Sequence, residues 1–284
     1  MIEKSWQDQD ILAYLGKEAP RYTSYPSAHH FGEITGETFS GWLKNITSDQ
    51  SLSLYVHIPF CAQMCYFCGC NTQITKRYEP VAAYIEALIH EIDLVGDLLP
   101  FVPKVHALHF GGGSPSMVNS KELKRLFSQL RQRFAFSPKA EISIELDPRG
   151  ITQEKVKTYR TLGFNRVSLG VQDTQDNVQL AINRVQPLNL IVSSLELLRT
   201  NGLTSIGLDL VYGLPQQTLE SLQQTLGDII ALDPDRISTF SYAHVPWVKK
   251  HQSLIDSESL ATTEQKAEMF IEIDKTLMGK AMMP

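Results

Sequence analysis

All four cysteines of this 284-residue chain fall within ten positions, in the stretch Cys61-Ala-Gln-Met-Cys65-Tyr-Phe-Cys68-Gly-Cys70. Thiols this close in sequence converge on a metal or cluster, or they pair as disulfides. Cys61, Cys65 and Cys68 stand as C-x3-C-x2-C, and Cys70 follows after one residue. A zinc site usually draws two ligand pairs from separate parts of a chain. No second pair exists here, so zinc would need ligands from elsewhere. A [4Fe–4S] cluster is normally held by four thiolates. Three on one loop would leave an iron open to the amino and carboxylate groups of a small molecule, to which it can pass an electron. An iron–sulfur cluster is the favoured reading, with zinc and redox thiols as the alternatives.

The elements that must position this loop alternate. Apolar or β-branched runs that read as buried strands sit at 52–58, 105–110, 141–146, 166–171, 205–211 and 236–242. Between them, apolar residues recur at three- and four-residue steps. The clearest case is 81–98, with Ala82, Ile85, Leu88, Ile89, Ile92 and Val95. Further helical stretches are 121–134, 153–162, 188–200 and 219–232. Repeated strand–helix alternation means a parallel sheet with helical crossovers. A doubly wound sheet and a (β/α) barrel both satisfy it. Residues 1–50 read as an N-terminal arm on the core of 51–245, with an amphipathic start, a Pro- and Tyr-rich segment at 20–26 and a helix near 38–43. Residues 246–284 read as loop plus one helix, 262–278.

In a parallel α/β barrel, chemistry sits at the C-terminal ends of the strands. The first strand delivers Tyr55, His57 and the cysteine loop. The second delivers Gly111, Gly112, Gly113 and Ser114, whose backbone can approach a ligand closely; the alternative is a flexible turn. The third brings Glu145 and Asp147 to one face, suited to ribose hydroxyls or simply solvated. The fourth, fifth and sixth bring Gln172 and Arg184, Asp209, and Ala243. An Arg, a Gln and an Asp at one mouth can hold a zwitterion, with Arg184 on its carboxylate. Taken singly, Arg184 reads as a surface helix residue, Asp209 as a cap and Tyr55 as a strand aromatic.

Composition narrows the class. The net charge is −5 with no basic tract, which argues against nucleic acid. The polar N-terminus lacks the apolar core of a signal peptide. No apolar run approaches the roughly 18 residues needed to span a bilayer. The expectation is a soluble cytoplasmic monomer.

The C-x3-C-x2-C loop after an apolar strand resembles that of radical S-adenosylmethionine (SAM) enzymes. The longer string Tyr55-Val-His-Ile-Pro-Phe-Cys61, continuing through Cys65-Tyr-Phe-Cys68-Gly-Cys70-Asn71, looks like one branch, the oxygen-independent coproporphyrinogen III oxidases. The upstream Pro20-Arg-Tyr-Thr-Ser-Tyr-Pro26 resembles the same branch. The likeness runs from about residue 20 to about 245. It implies an α/β fold, a partial (β/α)6 barrel with an N-terminal arm. It implies a [4Fe–4S] cluster on Cys61, Cys65 and Cys68, with Cys70 not a ligand. It also implies one or two SAM molecules, contacted by Tyr55, the backbone at Phe67, Gly111, Gly112, Gly113, Ser114 and Glu145, with Gln172, Arg184, Asp209 and Ala243 lining a second SAM site. By the same resemblance, the expected reaction is radical decarboxylation of two propionates of coproporphyrinogen III to give protoporphyrinogen IX, in haem synthesis. It would draw on an unidentified one-electron donor. Arg21 is the best candidate for the carboxylates of this tetrapyrrole, ahead of Arg149, Lys76 and Arg77. Branch members are longer, with a helical C-terminal domain, so 246–284 is expected to be the start of a truncated region. A haem-binding or haem-trafficking relative, and a shortened form that binds cluster and SAM without turnover, are the other readings.

Overall fold

Six parallel strands form one sheet in the same order as the chain: β1 (Ser51–Ile58), β2 (Lys104–Gly112), β3 (Ala135–Leu146), β4 (Arg166–Gln172), β5 (Ser205–Tyr212) and β6 (Arg236–Ser241). The structure is a computed structural model and describes residues 30–279. A doubly wound sheet reverses its strand order at a switch point. This order never reverses, so successive crossovers carry the chain one way round. Among the described residues β1 and β6 remain unjoined edges. The fold is a partial (β/α)6 barrel.

Eight helices accompany the strands among the described residues: α1 (Gly36–Lys44), α2 (Glu79–Leu98), α3 (Ser120–Arg133), α4 (Gln153–Leu162), α5 (Asp176–Ala181), α6 (Leu188–Thr200), α7 (Leu219–Ala231) and α8 (Thr263–Met278). Local chemistry sets their ends. Asn119 and Thr152 accept the free amides that open α3 and α4, and reciprocal capping boxes start α7 and α8. Gly163, at φ 95°, closes α4 in the left-handed conformation.

The two faces of the sheet differ. One packs on the helices and is apolar, with Ile58, Leu108, Phe110, Ile144, Leu169 and Leu208 fully buried. At its centre Phe110, Phe127 and Phe164 meet with ring centroids 5.0–5.5 Å apart. The inner face carries Tyr55, His109, Ser143, Glu145, Ser168 and Asp209, joined to one another by hydrogen bonds and stacking. Parallel strands buried on both faces read as continuous apolar runs. These strands alternate instead, which leaves the hollow of the half-barrel polar.

Three features differ from the sequence expectation. β3 begins at Ala135 rather than 141, and a register break absorbs the extra length: Val105 faces Phe136, but Ala107 already faces Glu141. The six-residue α5 is too short to show a helical period. The stretch after β6 contains two 3-10 turns, Lys250–Leu254 and Ser257–Ser259. The segment 20–26, with Arg21, lies outside the described residues.

Candidate active site

The cysteine loop leaves the end of β1 and is pinched shut at its base. Phe60–Cys61 and Gln73–Ile74 pair as a two-residue parallel ladder, and the Thr75 amide donates to the Cys61 carbonyl at 3.0 Å. Within the loop, the Cys68 amide donates to the Cys65 carbonyl at 3.2 Å. The connection after α5 grips the middle of the loop. Asn183 Nδ2 donates to the Met64 carbonyl at 2.8 Å and its Oδ1 accepts from Gln63 at 2.9 Å, while the Tyr66 amide donates to the Ile182 carbonyl at 2.9 Å. Asn183 sits at φ 53°, a conformation that asparagine tolerates better than most residues.

The end of β2 lies against this loop. The Gly113 amide donates to the Ile58 carbonyl at 2.8 Å and that of Ser114 to the Phe60 carbonyl at 2.9 Å. A Cβ on Gly113 would stand 2.9 Å from the Phe60 carbonyl oxygen and 3.0 Å from Cys61 Sγ. Gly112, at φ 120°, would place a Cβ 2.7 Å from the His57 ring. Here the backbone must come close, and only glycine permits it. The Ser114 hydroxyl is buried against that of Ser116 at 2.6 Å.

Cys61, Cys65, Cys68, Phe67, Gly112, Gly113, Ser114, Glu145, Gln172, Arg184 and Asp209 surround one cavity of about 150 Å³. They arrive from the loop, from β2, β3, β4 and β5 and, for Arg184, from the connection after α5. Gly111, Tyr55 and Ala243 are not on its wall. Tyr55 lies lower in the hollow, with its ring stacked 5.7 Å from His109 and its hydroxyl 2.9 Å from His57 Nδ1. Ala243 follows β6 directly. Gln172 adopts φ 71° at the cavity wall, a strained conformation of the kind found at ligand sites.

Charge is concentrated on one side. Asp147 receives Arg149 Nη2 at 2.6 Å and Arg184 Nη1 at 3.2 Å. The two guanidinium groups also approach Cys65 Sγ, at 3.8 and 3.5 Å. Burial alone would raise the Asp147 carboxyl, but the hydrogen bonds and charges of Arg149 and Arg184 outweigh it and hold the group below the usual range. Asp147 is thus an anchor for two arginines. Arg184 also donates to the Gly170 carbonyl at 2.7 Å, and its buried Nε has no hydrogen-bond partner among the described residues. Glu145 accepts from His109 Nε2 at 2.9 Å. Burial raises Asp209, opposed by the Ser168 hydroxyl bonded to it at 2.7 Å.

Among the thiols, burial and the neighbouring Cys68 and Cys65 push Cys61 up to about 12. Cys68 is lowered to about 6, first by the hydrogen bond from the Cys70 thiol, with His251 and Lys249 adding positive potential. The same contact raises Cys70. Among the described residues no three His, Cys, Asp or Glu side chains are gathered as a single ion would require. Thiolates on one zinc all lie about 2.3 Å from it, whereas a cluster spreads its thiolates over several irons. Three thiols around a cavity rim suit the second donor geometry.

The sequence reading missed Gln63, Asn183 as an anchor, and the Asp147 pairing with Arg149. An arginine two residues from an acidic strand end was the available signal for the last. Nothing local marked the other two.

A half-barrel with a three-cysteine loop after its first strand defines a class. The chain matches the Radical SAM superfamily over residues 55–229 and belongs to it, with a [4Fe–4S] cluster and SAM as the cofactors of that superfamily. Its particular relatives are narrower. It is 44% identical over 253 residues to the oxygen-independent coproporphyrinogen III oxidase of Bradyrhizobium diazoefficiens, covering 88% of this chain and 56% of the relative. The enzyme of the same name from Escherichia coli K12 is 43% identical, over 93% of this chain and 58% of its own length. A solved structure of coproporphyrinogen III oxidase from Escherichia coli, described as a radical SAM enzyme, superposes with a TM-score of 0.86 at 42% identity. That match covers 91% of this chain and 59% of the other. The chain therefore spans between 56% and 59% of the length of these relatives.

No helix among the described residues is long and apolar enough to cross a membrane.

Proposed function

We propose that this chain acts in the oxygen-independent conversion of coproporphyrinogen III to protoporphyrinogen IX, by oxidative decarboxylation of two propionate side chains. The observation that carries the proposal is the 42% identity and TM-score of 0.86 to the Escherichia coli enzyme over 91% of the chain. Each propionate gives up one β-hydrogen, CO2 and one electron, and leaves a vinyl group. When bound, the cluster and SAM supply the one-electron route to that hydrogen abstraction.

The chain's own residues hold and orient. Cys61, Cys65 and Cys68 provide the thiolates. The backbone at Gly111, Gly112 and Gly113, beside Ser114, takes the amino-acid end of SAM; Glu145, steadied by His109, takes ribose hydroxyls, with Tyr55 and the Phe67 backbone nearby. Gln172, Arg184, Asp209 and Ala243 form a second SAM position, where the free Arg184 Nε offers a donor to a carboxylate. Arg21 is the first cation for the tetrapyrrole carboxylates, with Lys76, Arg77 and Arg149, itself paired with Asp147, behind it.

The division into an arm (1–50), a core (51–245) and a C-terminal segment (246–284), a monomeric state, a cytoplasmic location and a separate one-electron donor belong to the same proposal.

Anaerobic incubation of the reduced, cluster-loaded chain with SAM and coproporphyrinogen III tests it by mass spectrometry. The expected product has lost two carboxyl groups and two β-hydrogens; unchanged porphyrinogen, with SAM consumed, would overturn the substrate assignment. In the same assay Arg21→Ala should raise the substrate KM about tenfold, as for loss of one charge-assisted contact; an unchanged KM would remove Arg21 from the site.

A further inference from the structure

The turn that follows β6 is tied to the cysteine loop by three side chains in four residues. Gln252 is almost fully buried. Its Nε2 donates to the Phe67 carbonyl at 3.0 Å, and its Oε1 accepts the Val245 amide at 2.6 Å. His251 Nε2 lies 2.7 Å from the Cys68 carbonyl; a carbonyl can only accept, so this nitrogen carries the hydrogen. Lys249 Nζ donates to the Cys70 carbonyl at 3.0 Å. Beneath these bonds a small apolar cluster joins the same parts: Ile255 and Leu260 pack with Tyr66 and Phe67 of the loop and with Val178 and Ile182 of the α5 region.

These contacts have a common geometry. Asn183 and the Ile182 carbonyl grip one side of the loop, at 64–66, and the 249–252 turn grips the other, at 67–70. A ten-residue loop carrying four thiols, three of them assigned to the cluster, must lose its conformational freedom before the sulfurs have fixed positions. A buried glutamine that bridges two backbone segments, with both the nitrogen and the oxygen of its amide bonded, is a rigid way to do so. Lys249 brings its ammonium group to the Cys70 carbonyl, two residues from Cys68.

We infer that Lys249, His251 and Gln252 are positioning residues of the cluster loop: the turn forms the outer half of the cluster cradle, and the Lys249 charge raises the reduction potential of the cluster held there. This rests on the assignment of the cluster to Cys61, Cys65 and Cys68. Groups that orient metal ligands, and charges and hydrogen bonds near the sulfurs, tune both affinity and potential.

The test compares the reconstituted 284-residue chain with Gln252→Leu, Lys249→Met and Lys249→Arg. It reads iron and sulfide content, the rate of cluster loss to a chelator, and the midpoint potential without SAM. Gln252→Leu should lose its cluster about 10–100-fold faster, the usual cost of removing an outer-shell partner. Lys249→Met, at a partly exposed position where folding is not at risk, should move the potential to more negative values, and Lys249→Arg should restore it. A wild-type chain that takes up no cluster would refute the cysteine assignment and the inference together. A loaded wild type matched by Gln252→Leu in release rate and by Lys249→Met in potential would overturn the inference alone. A purely structural turn would alter release without moving the potential, and that outcome also refutes the role of the Lys249 charge.

Discussion

Asp147 shows how much one carboxylate can organise. It holds two guanidinium groups beside Cys65, and its pKa is lowered in the folded chain. A carboxyl of this kind contributes stability that is present above its unfolded pKa and lost as pH falls through the folded value. Asp147→Asn should therefore destabilise the chain by about 2 kcal/mol near neutral pH, the scale of a hydrogen bond to a charged group. The two proteins should converge in acid. Urea midpoints measured from neutral pH downward check this; a constant difference at all pH values would show that the charge is not the cause. Gly113 makes the steric counterpart. Gly113→Ala places a methyl 3.0 Å from Cys61 Sγ and 2.9 Å from a carbonyl oxygen, so the β2 end must shift away from the loop. Iron bound per chain should fall while the far-ultraviolet circular dichroism stays close to that of the wild type.

The strands and helices carry the site on a conventional apolar seam. Phe127 of α3 contacts both Phe110 of β2 and Phe164 before β4, and is 1% exposed. Phe127→Ala should cost about 3–5 kcal/mol, a buried aromatic lost with partial collapse of the cavity, and thermal or urea unfolding measures it. At this scale the sequence was informative. All six strand positions and the long helices were legible because each has a sustained period and clear stops. The choice between barrel and doubly wound sheet was not, since strand order is a long-range property that periodicity does not encode. The opening of β3 was hidden by Pro138 and Lys139, which sit where the register breaks. The thiols stood out by type and spacing, whereas the glycines after β2 read equally as a flexible turn until the resemblance gave them a role. The anchors did not stand out: Asn183 reaches a carbonyl 119 residues away and Gln252 one 185 residues away. A glutamine in an irregular segment has no periodic or compositional mark.

Viewed whole, the molecule is half a barrel whose helical side is sealed and whose hollow is polar and open along the β1 and β6 edges. Segments on both flanks of the strands are recruited to it: Leu43 and Ile46 pack on the main core from before β1, Ile255 packs under the cysteine loop, and Met269 and Ile273 of α8 enter the main core. A ligand bound only by the folded state stabilises it in proportion to its affinity. Cluster loading should thus raise the melting temperature of the entire chain in one transition, and a chelator should reverse it. A separate low-temperature transition would mean that the loop melts independently of the sheet. The central claim is that the three thiols and the adjoining cavity bring a reducible cluster and SAM together for radical chemistry. It is tested most directly by the release of 5′-deoxyadenosine from SAM after anaerobic reconstitution and reduction, with and without coproporphyrinogen III, beside Cys65→Ser. Release should rise with the porphyrinogen and vanish in the variant. A chain that demonstrably carries its cluster yet releases none would contradict it.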